Sequence, residues 1–347
     1  MICIVTVYKS NNYGSLLQAR ALYDFLSKID NTVFLNKGQR STFGILQIRQ
    51  ILASLFKDRN FSKAMFFIRK FINNSQGWKT LPSVNIQYLQ NNPDVTYVLG
   101  SDEIWNVARK TCADSIYWGA GLNGKLISYA PSANNTKIED LDQKLYTQYL
   151  SRIQSISVRD SHTLNLAESM TDKSISEVLD PTMLFDAAYY QAKTSFIEIE
   201  EDYIAVYLFE KKITDEEIKA IRGFAKSKKM KLVSIGPWID WCDKNVLGKD
   251  NNPFLYYIKA KYVITNTFHG TAFAINFSTQ FIAYTHNNLK VEELLKSFEL
   301  SNRIANGMTE DELINLFSNR IDKKLIDTIK LAKRGQSIQF LTQAVKQ

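Results

Sequence analysis

Short apolar runs alternate with amphipathic stretches along this chain, and polar residues collect where the runs end. Met1–Val7 is a continuous apolar run that predicts a buried strand. The polar loop Lys9-Ser10-Asn11-Asn12-Tyr13-Gly14 follows, and a helix is expected from about Ser15 to Ile29, with Leu22, Phe25, Leu26 and Ile29 at helical spacing. Thr32–Leu35 reads as a second strand, so the chain opens as strand, loop, helix, strand, the start of a parallel α/β sheet. Further strands are expected at Val95–Leu99, Leu126–Tyr129, Ser155–Val158 and Glu177–Leu179. Past a break near Asp186–Asp202 a second series begins. It has strands at Tyr203–Phe209, Lys231–Ile235, Tyr262–Thr265 and Phe281–Ala283, and helices at Asp215–Ser227, Phe254–Lys259 and Gly270–Phe277. Helices fill the remainder from about Val291.

Two α/β series predict two Rossmann-like lobes facing a cleft, a GT-B-like architecture. The expected boundaries are a first lobe over 1–190, a second over 200–321, and a last helix over 322–347 packing back on the first. Residues 40–74 break the α/β pattern. Two helices are expected there, one carrying Ile45, Leu46, Ile48, Ile51, Leu52 and Leu55, the other Ala64, Met65, Phe67, Ile68 and Phe71. Arg49, Lys57, Arg59, Lys63, Arg69 and Lys70 flank them with Asp58 as the single acid, so this reads as a basic amphipathic insertion of the first lobe. Its cationic face allows peripheral contact with the anionic inner face of a membrane; the plainer reading is two helices packed on a core with solvated lysines.

Composition narrows the function classes. The chain has 347 residues, a formal net charge of +8 and 22% charged residues, a globular mixture that suits anionic partners. Cys3, Cys112 and Cys242 lie far apart and show no zinc spacing, so a reducing cytoplasm is expected. No stretch reaches the roughly 18–20 apolar residues of a spanning helix, and Met1–Val7 lacks the basic leader of a signal peptide and ends too soon for one, so neither a spanning helix nor a signal is expected. No nucleic-acid-binding motif is visible.

Candidate chemistry gathers at the expected strand ends, the edge where open α/β sheets bind ligands. Thr265-Asn266-Thr267-Phe268-His269-Gly270-Thr271 follows a strand and opens a helix, whose N–H groups favour anions and where a histidine can move a proton. Gly100-Ser101-Asp102-Glu103-Ile104-Trp105-Asn106 brings two carboxylates and an indole to another strand end, as a proton acceptor for a sugar hydroxyl and a stacking surface, or as a capped helix start over a buried tryptophan. Asn11-Asn12-Tyr13-Gly14-Ser15 is a turn that Ser15 could cap. Arg159 in Ser157-Val158-Arg159-Asp160 could fork onto phosphate or carboxylate, or form a surface pair with Asp160. Gly119–Gly124 matches GxGxxG but precedes a strand instead of opening a helix. Asp140-Leu141-Asp142 sits in a charged helical stretch, and His162 and His286 have no ligand partners at metal spacing. No dinucleotide site and no metal are therefore expected.

Taken in order, Asn12-Tyr13-Gly14-Ser15 with Leu17-Gln18-Ala19, Gly100–Asn106, Tyr129-Ala130-Pro131-Ser132, Ser157–Asp160, Asp180-Pro181-Thr182 and Thr267–Thr271 resemble the polysaccharide pyruvyl transferase family, over most of the chain up to about Leu300. The resemblance implies an enzyme that moves a pyruvyl group from phosphoenolpyruvate onto a sugar of a bacterial surface glycan, such as an exopolysaccharide of the cell envelope, with no cofactor and with an acceptor that can be lipid-linked. By the same resemblance His269 is the general acid and Asp102 the acid near the acceptor. Arg159 and Lys290 bind the donor together with Thr267, Gly270 and Thr271. Asn12, Tyr13, Gly14, Ser15, Ser101, Glu103, Trp105, Asn106 and Ser132 line the acceptor side. Some members carry arginine two residues before the histidine; here Thr267 stands there. The same residues are open to two other readings: a GT-B glycosyltransferase using a nucleotide sugar, and a non-catalytic glycan- or anion-binding protein of the same fold.

Overall fold

The computed structural model describes residues 1–37, 43–92, 94–110, 112–193, 199–209, 212–248 and 252–347. The start of the expected insertion, 40–42, and part of the expected break near Asp186–Asp202 lie outside them. The first parallel sheet is built from β1 (Ile2–Val5), β2 (Thr32–Leu35), β3 (Ser83–Val84), β4 (Thr96–Leu99) and β5 (Lys125–Ser128) in the order β3-β2-β1-β4-β5. Register is set by Ile2 opposite both Thr32 and Thr96. A parallel bridge from Ile127 to Ser155 carries the sheet on to β6 (Ile156–Val158) and β7 (Ile175–Glu177). The second sheet has β8 (Tyr203–Tyr207), β9 (Lys231–Ile235), β10 (Lys244–Val246), β11 (Tyr262–Thr265) and β12 (Phe281–Ala283) in the order β10-β9-β8-β11-β12. Both orders are the same doubly wound pattern, so each sheet is Rossmann-like.

The strands read as unbroken apolar runs because both faces of a parallel sheet are covered. Cys3 and Val5, Val33 and Leu35, and Tyr97 and Leu99 point to one face at the period of two, and pack with Leu150 of α5 (Gln143–Arg152) and Leu166 and Ala167 of α6 (Ser161–Glu168). In the second sheet Ile204, Val206, Ile264 and Ile282 meet Ala220, Ile221 and Phe224 of α8 (Asp215–Ser227) and Leu313 and Phe317 of α12 (Glu310–Ser318). The Phe224 and Phe317 rings stack at 4.7 Å.

Two compact units result: Met1–Thr42 with Gln76–Leu184 and Ala332–Gln347, and Phe43–Ser75 with Phe185–Leu331. The basic segment, α2 (Phe43–Leu52) with most of α3 (Phe61–Lys79), therefore groups with the second unit and not with the first lobe as expected. Lys70 Nζ donates to Gly236 O at 2.8 Å, Lys63 Nζ to Asp240 Oδ2 at 2.9 Å, and the Phe66 ring meets Trp238 edge-on at 5.3 Å. The last helix, α13 (Lys323–Lys346), has its C-terminal part in the first unit. There Ser337 Oγ accepts from Leu179 N, Arg334 Nε donates to Met183 O, and Lys125 Nζ donates to Val345 O. None of the helices among the described residues is long and apolar enough to cross a membrane.

Candidate active site

A strand order that reverses beside the first strand leaves a crevice at the carboxyl ends of the two central strands. In the first unit those strands are β1, continuing into Thr6-Val7-Tyr8, and β4, continuing into Gly100-Ser101-Asp102. In the second unit they are β8, continuing into Leu208-Phe209, and β11, continuing into Asn266-Thr267. Most of the expected chemistry sits at these two edges.

In the first unit, Thr6 Oγ1 donates to Ser101 O at 2.7 Å and joins the two central strand ends. The Gln18 amide braces this junction, donating to Thr6 Oγ1 at 3.3 Å and to Ser15 O at 2.9 Å. Gln18 lies on α1 (Tyr13–Leu26), which Asn12 caps by accepting from Gly14 N at 2.9 Å. The helix thus starts two residues before the expected Ser15, which is buried within its first turn.

Arg159 follows β6 and is buried, its side chain 2% exposed. Its Nη1 donates to Asp180 Oδ2 at 2.7 Å, and its Nη2 lies 3.8 Å from Asp102 Oδ1. Burial works against its charge, but the carboxylates of Asp180, Asp102, Asp160 and Glu103 more than compensate and hold the guanidinium above its ordinary pKa. Asp180 in turn accepts from Thr182 N, Thr182 Oγ1 and, at 3.4 Å, Ser101 Oγ. Asp102 accepts from Glu103 N through Oδ1, while its buried Oδ2 has no hydrogen-bond partner among the described residues. One arginine thus faces two carboxylates that touch it, and the balance is anionic. A buried, oriented carboxylate oxygen with spare acceptor capacity suits taking a proton from a hydroxyl.

In the second unit, α10 (Phe268–Asn276) begins just past β11, and all nine of its residues are buried. Thr267 caps it: its Oγ1 accepts from Gly270 N at 3.0 Å, and its carbonyl accepts from Thr271 N and Thr271 Oγ1. An arginine at this position could not accept that first hydrogen bond. His269 lies in the first turn, 8% exposed, edge-on to Phe268. Asn266 closes the switch point by accepting from Phe209 N at 2.8 Å and donating to Phe209 O at 3.0 Å. Asn288 Nδ2 reaches Asn266 O at 3.5 Å, which sets the start of α11 (Leu289–Ser297), and the half-buried Lys290 is the second residue of that helix.

Other expected site residues hold structure. Trp105 is fully buried, stacked on Trp118 at 4.4 Å with its Nε1 donating to Tyr117 O, so it is core and not a sugar-stacking surface. Tyr13 is buried, and Gly14 gives its N–H to the Asn12 cap. Ser132 Oγ accepts from Asn134 N, and Asn106 Nδ2 donates to the half-buried Glu103. Arg159, expected to grip a substrate or to form a surface pair with Asp160, is buried and engaged with Asp180, while Asp160 caps α6. Sequence reasoning left out Thr6, Gln18, Asp180 and Asn266. Gln18 and Asp180 stood inside ordered motifs as a signal; Thr6 had none.

A family model described as polysaccharide pyruvyl transferase matches residues 12–288. No curated protein matches significantly. Among solved structures, the UDP-GlcNAc 2-epimerase from Neisseria meningitidis bound to UDP-GlcNAc is similar, at 10% identity over 99% of this chain and 98% of that one, with a TM-score of 0.55. The UDP-GlcNAc 2-epimerase from Methanocaldococcus jannaschii is similar at 10% identity over 93% of each chain, with a TM-score of 0.53. That from Rickettsia bellii shows 9% identity over 99% of this chain and 95% of that one, with a TM-score of 0.51. At such identities the likeness shows the fold alone, a GT-B-like pairing of Rossmann-like lobes.

Proposed function

Since the chain belongs to the polysaccharide pyruvyl transferase family, and is therefore a transferase, we propose that it moves a pyruvyl group from phosphoenolpyruvate onto a sugar and closes a pyruvate ketal there. The observation that carries this reading is His269, fixed in the first turn of a wholly buried and capped helix. Helix N-termini favour anions, and a histidine held there can deliver a proton beside a bound phosphate.

His269 donates a proton to the methylene carbon of phosphoenolpyruvate, which makes the neighbouring carbon electrophilic. Lys290 and the first turn at Thr267, Gly270 and Thr271 offset the donor's phosphate and carboxylate. A sugar hydroxyl attacks the electrophilic carbon and loses its proton to a general base. The carbon–oxygen bond to phosphate breaks, and a second hydroxyl closes the ketal. Of the two hydroxyl protons, one accounts for the new methyl group and the other leaves with phosphate. Arg159 enters as a positioning residue: it holds Asp102 and Asp180 and does not grip the donor, because its local balance is already anionic.

Incubation with phosphoenolpyruvate and a panel of glycans, free and lipid-linked, tests this. One acceptor should gain the mass of pyruvate less one water, with phosphate released in equal amount. Nucleotide release from a sugar donor, or tight glycan binding with no turnover on any acceptor, would replace this reading. In His269→Ala the turnover number should fall by about 10²–10⁴ while the far-UV spectrum is unchanged.

A further inference from the structure

We propose that the helical segment Phe43–Ser75 docks on an anionic lipid bilayer. Five of the eleven large apolar side chains exposed among the described residues, Ile48, Leu52, Phe56, Phe61 and Ile72, fall within this one stretch. Ile48, Leu52 and Phe56 recur every four residues along α2 and the π-helical turn Ala53–Lys57 that continues it, which lines them along one side. Phe56 and Phe61 are the most exposed of the five, at 78% and 71%. They flank the turn Asp58-Arg59-Asn60, which is fixed by Asn60 N donating to Ser54 O and by Asn60 Oδ1 accepting from Lys63 N. The two rings and their neighbouring cations therefore share one ordered tip.

Charge selects the occupant. The only acid of the segment, Asp58, is bridged by Lys63 at 3.1 Å, and Lys63 also holds Asp240. Lys70 donates inward to Gly236. Arg49, Lys57, Arg59 and Arg69 are exposed, and no acid among the described residues pairs with them. Protruding aromatic and aliphatic side chains ringed by unpaired cations are the complement of a surface with an apolar interior and anionic headgroups. A protein partner would place some carboxylates against these cations but gains little from two isolated phenylalanine rings at a turn. The opposite side of the segment is already used, with Ser54, Ala64, Phe66 and Asn74 buried.

Co-sedimentation of the full chain with vesicles tests this. Vesicles of phosphatidylcholine carrying about a quarter phosphatidylglycerol should retain the protein, and pure phosphatidylcholine should not. Phe56→Ser with Phe61→Ser, and separately Arg49→Gln with Lys57→Gln and Arg59→Gln, should each lower partition by about tenfold or more. A Phe56→Trp reporter should shift its emission to the blue on anionic vesicles only. Equal partition on both vesicle types, or no loss in the phenylalanine variant, overturns the assignment. So does a concentration-dependent dimer abolished by the phenylalanine substitutions, which would make the face a contact between copies of this chain. Pyruvyl transfer to a soluble acceptor should be unaffected in these variants, so failure of vesicle binding and failure of the proposed reaction read out separately.

Discussion

Arg159 shows how little a residue's type says about its task. Arginine at a strand tip suggests an anion grip, yet here the guanidinium is buried against Asp180 and close to Asp102. Removing it would leave two carboxylates without their counter-ion, so Arg159→Ala should destabilise the fold by about 3–5 kcal/mol, read by urea unfolding, besides losing transfer. Arg159→Lys should keep more of the stability than of the turnover, because a point charge cannot hold both carboxylates in register. Gly270 shows a second kind of constraint. A Cβ there would lie 2.1 Å from Thr265 Oγ1 and 2.7 Å from Thr267 Oγ1, in the cap that orients His269. Gly270→Ala should cost about 1–3 kcal/mol and lower the turnover number more than it raises KM, measured by thermal unfolding and steady-state kinetics.

At the scale of elements, single side chains tie together pieces that have no sequence proximity. Glu217, 1% exposed, completes the capping box of α8 with Thr214, accepts from Gly307 N at 2.8 Å, and meets His286 Nε2 at 2.9 Å. It thus joins a helix start, the turn before α12 and the loop after β12. Glu217→Ala should cost about 2–3 kcal/mol of unfolding free energy, well above the ~1 kcal/mol of a lone cap, and the melting temperature checks it. The strands and helices themselves were legible where apolar runs are long: β1, β2, β8, β9, β11 and β12 fall within a residue or two of their expected ends. Ser83–Val84 and Lys244–Val246 were not, because two or three half-exposed residues on a sheet edge carry no apolar run. The local pattern leaves Trp105 open between core and sugar surface, because an indole beside two acids looks the same in sequence whether it faces solvent or stacks on Trp118.

For the whole molecule, the charge of +8 acts at a distance and is screened by salt. The KM for the proposed donor, phosphoenolpyruvate, should therefore rise a few-fold between about 50 and 300 mM salt while the turnover number holds, as steady-state kinetics would show. Allegiance between segments was the part least visible beforehand. Phe43–Ser75 interrupts the first α/β series in sequence yet packs with the second, through Lys63 to Asp240 and Phe66 to Trp238. Likewise Ser101 meets Asp180 across 79 positions.

The amino-acid order alone determined two α/β series, the ends of their central strands and the placement of Asp102 and of His269 each just past such an end, because apolar period and turn chemistry act between near neighbours. Only the tertiary structure decided which charge neutralises which, which aromatic rings are core, and which unit owns the basic segment. Those outcomes depend on distances between residues far apart in the chain, which no local pattern carries.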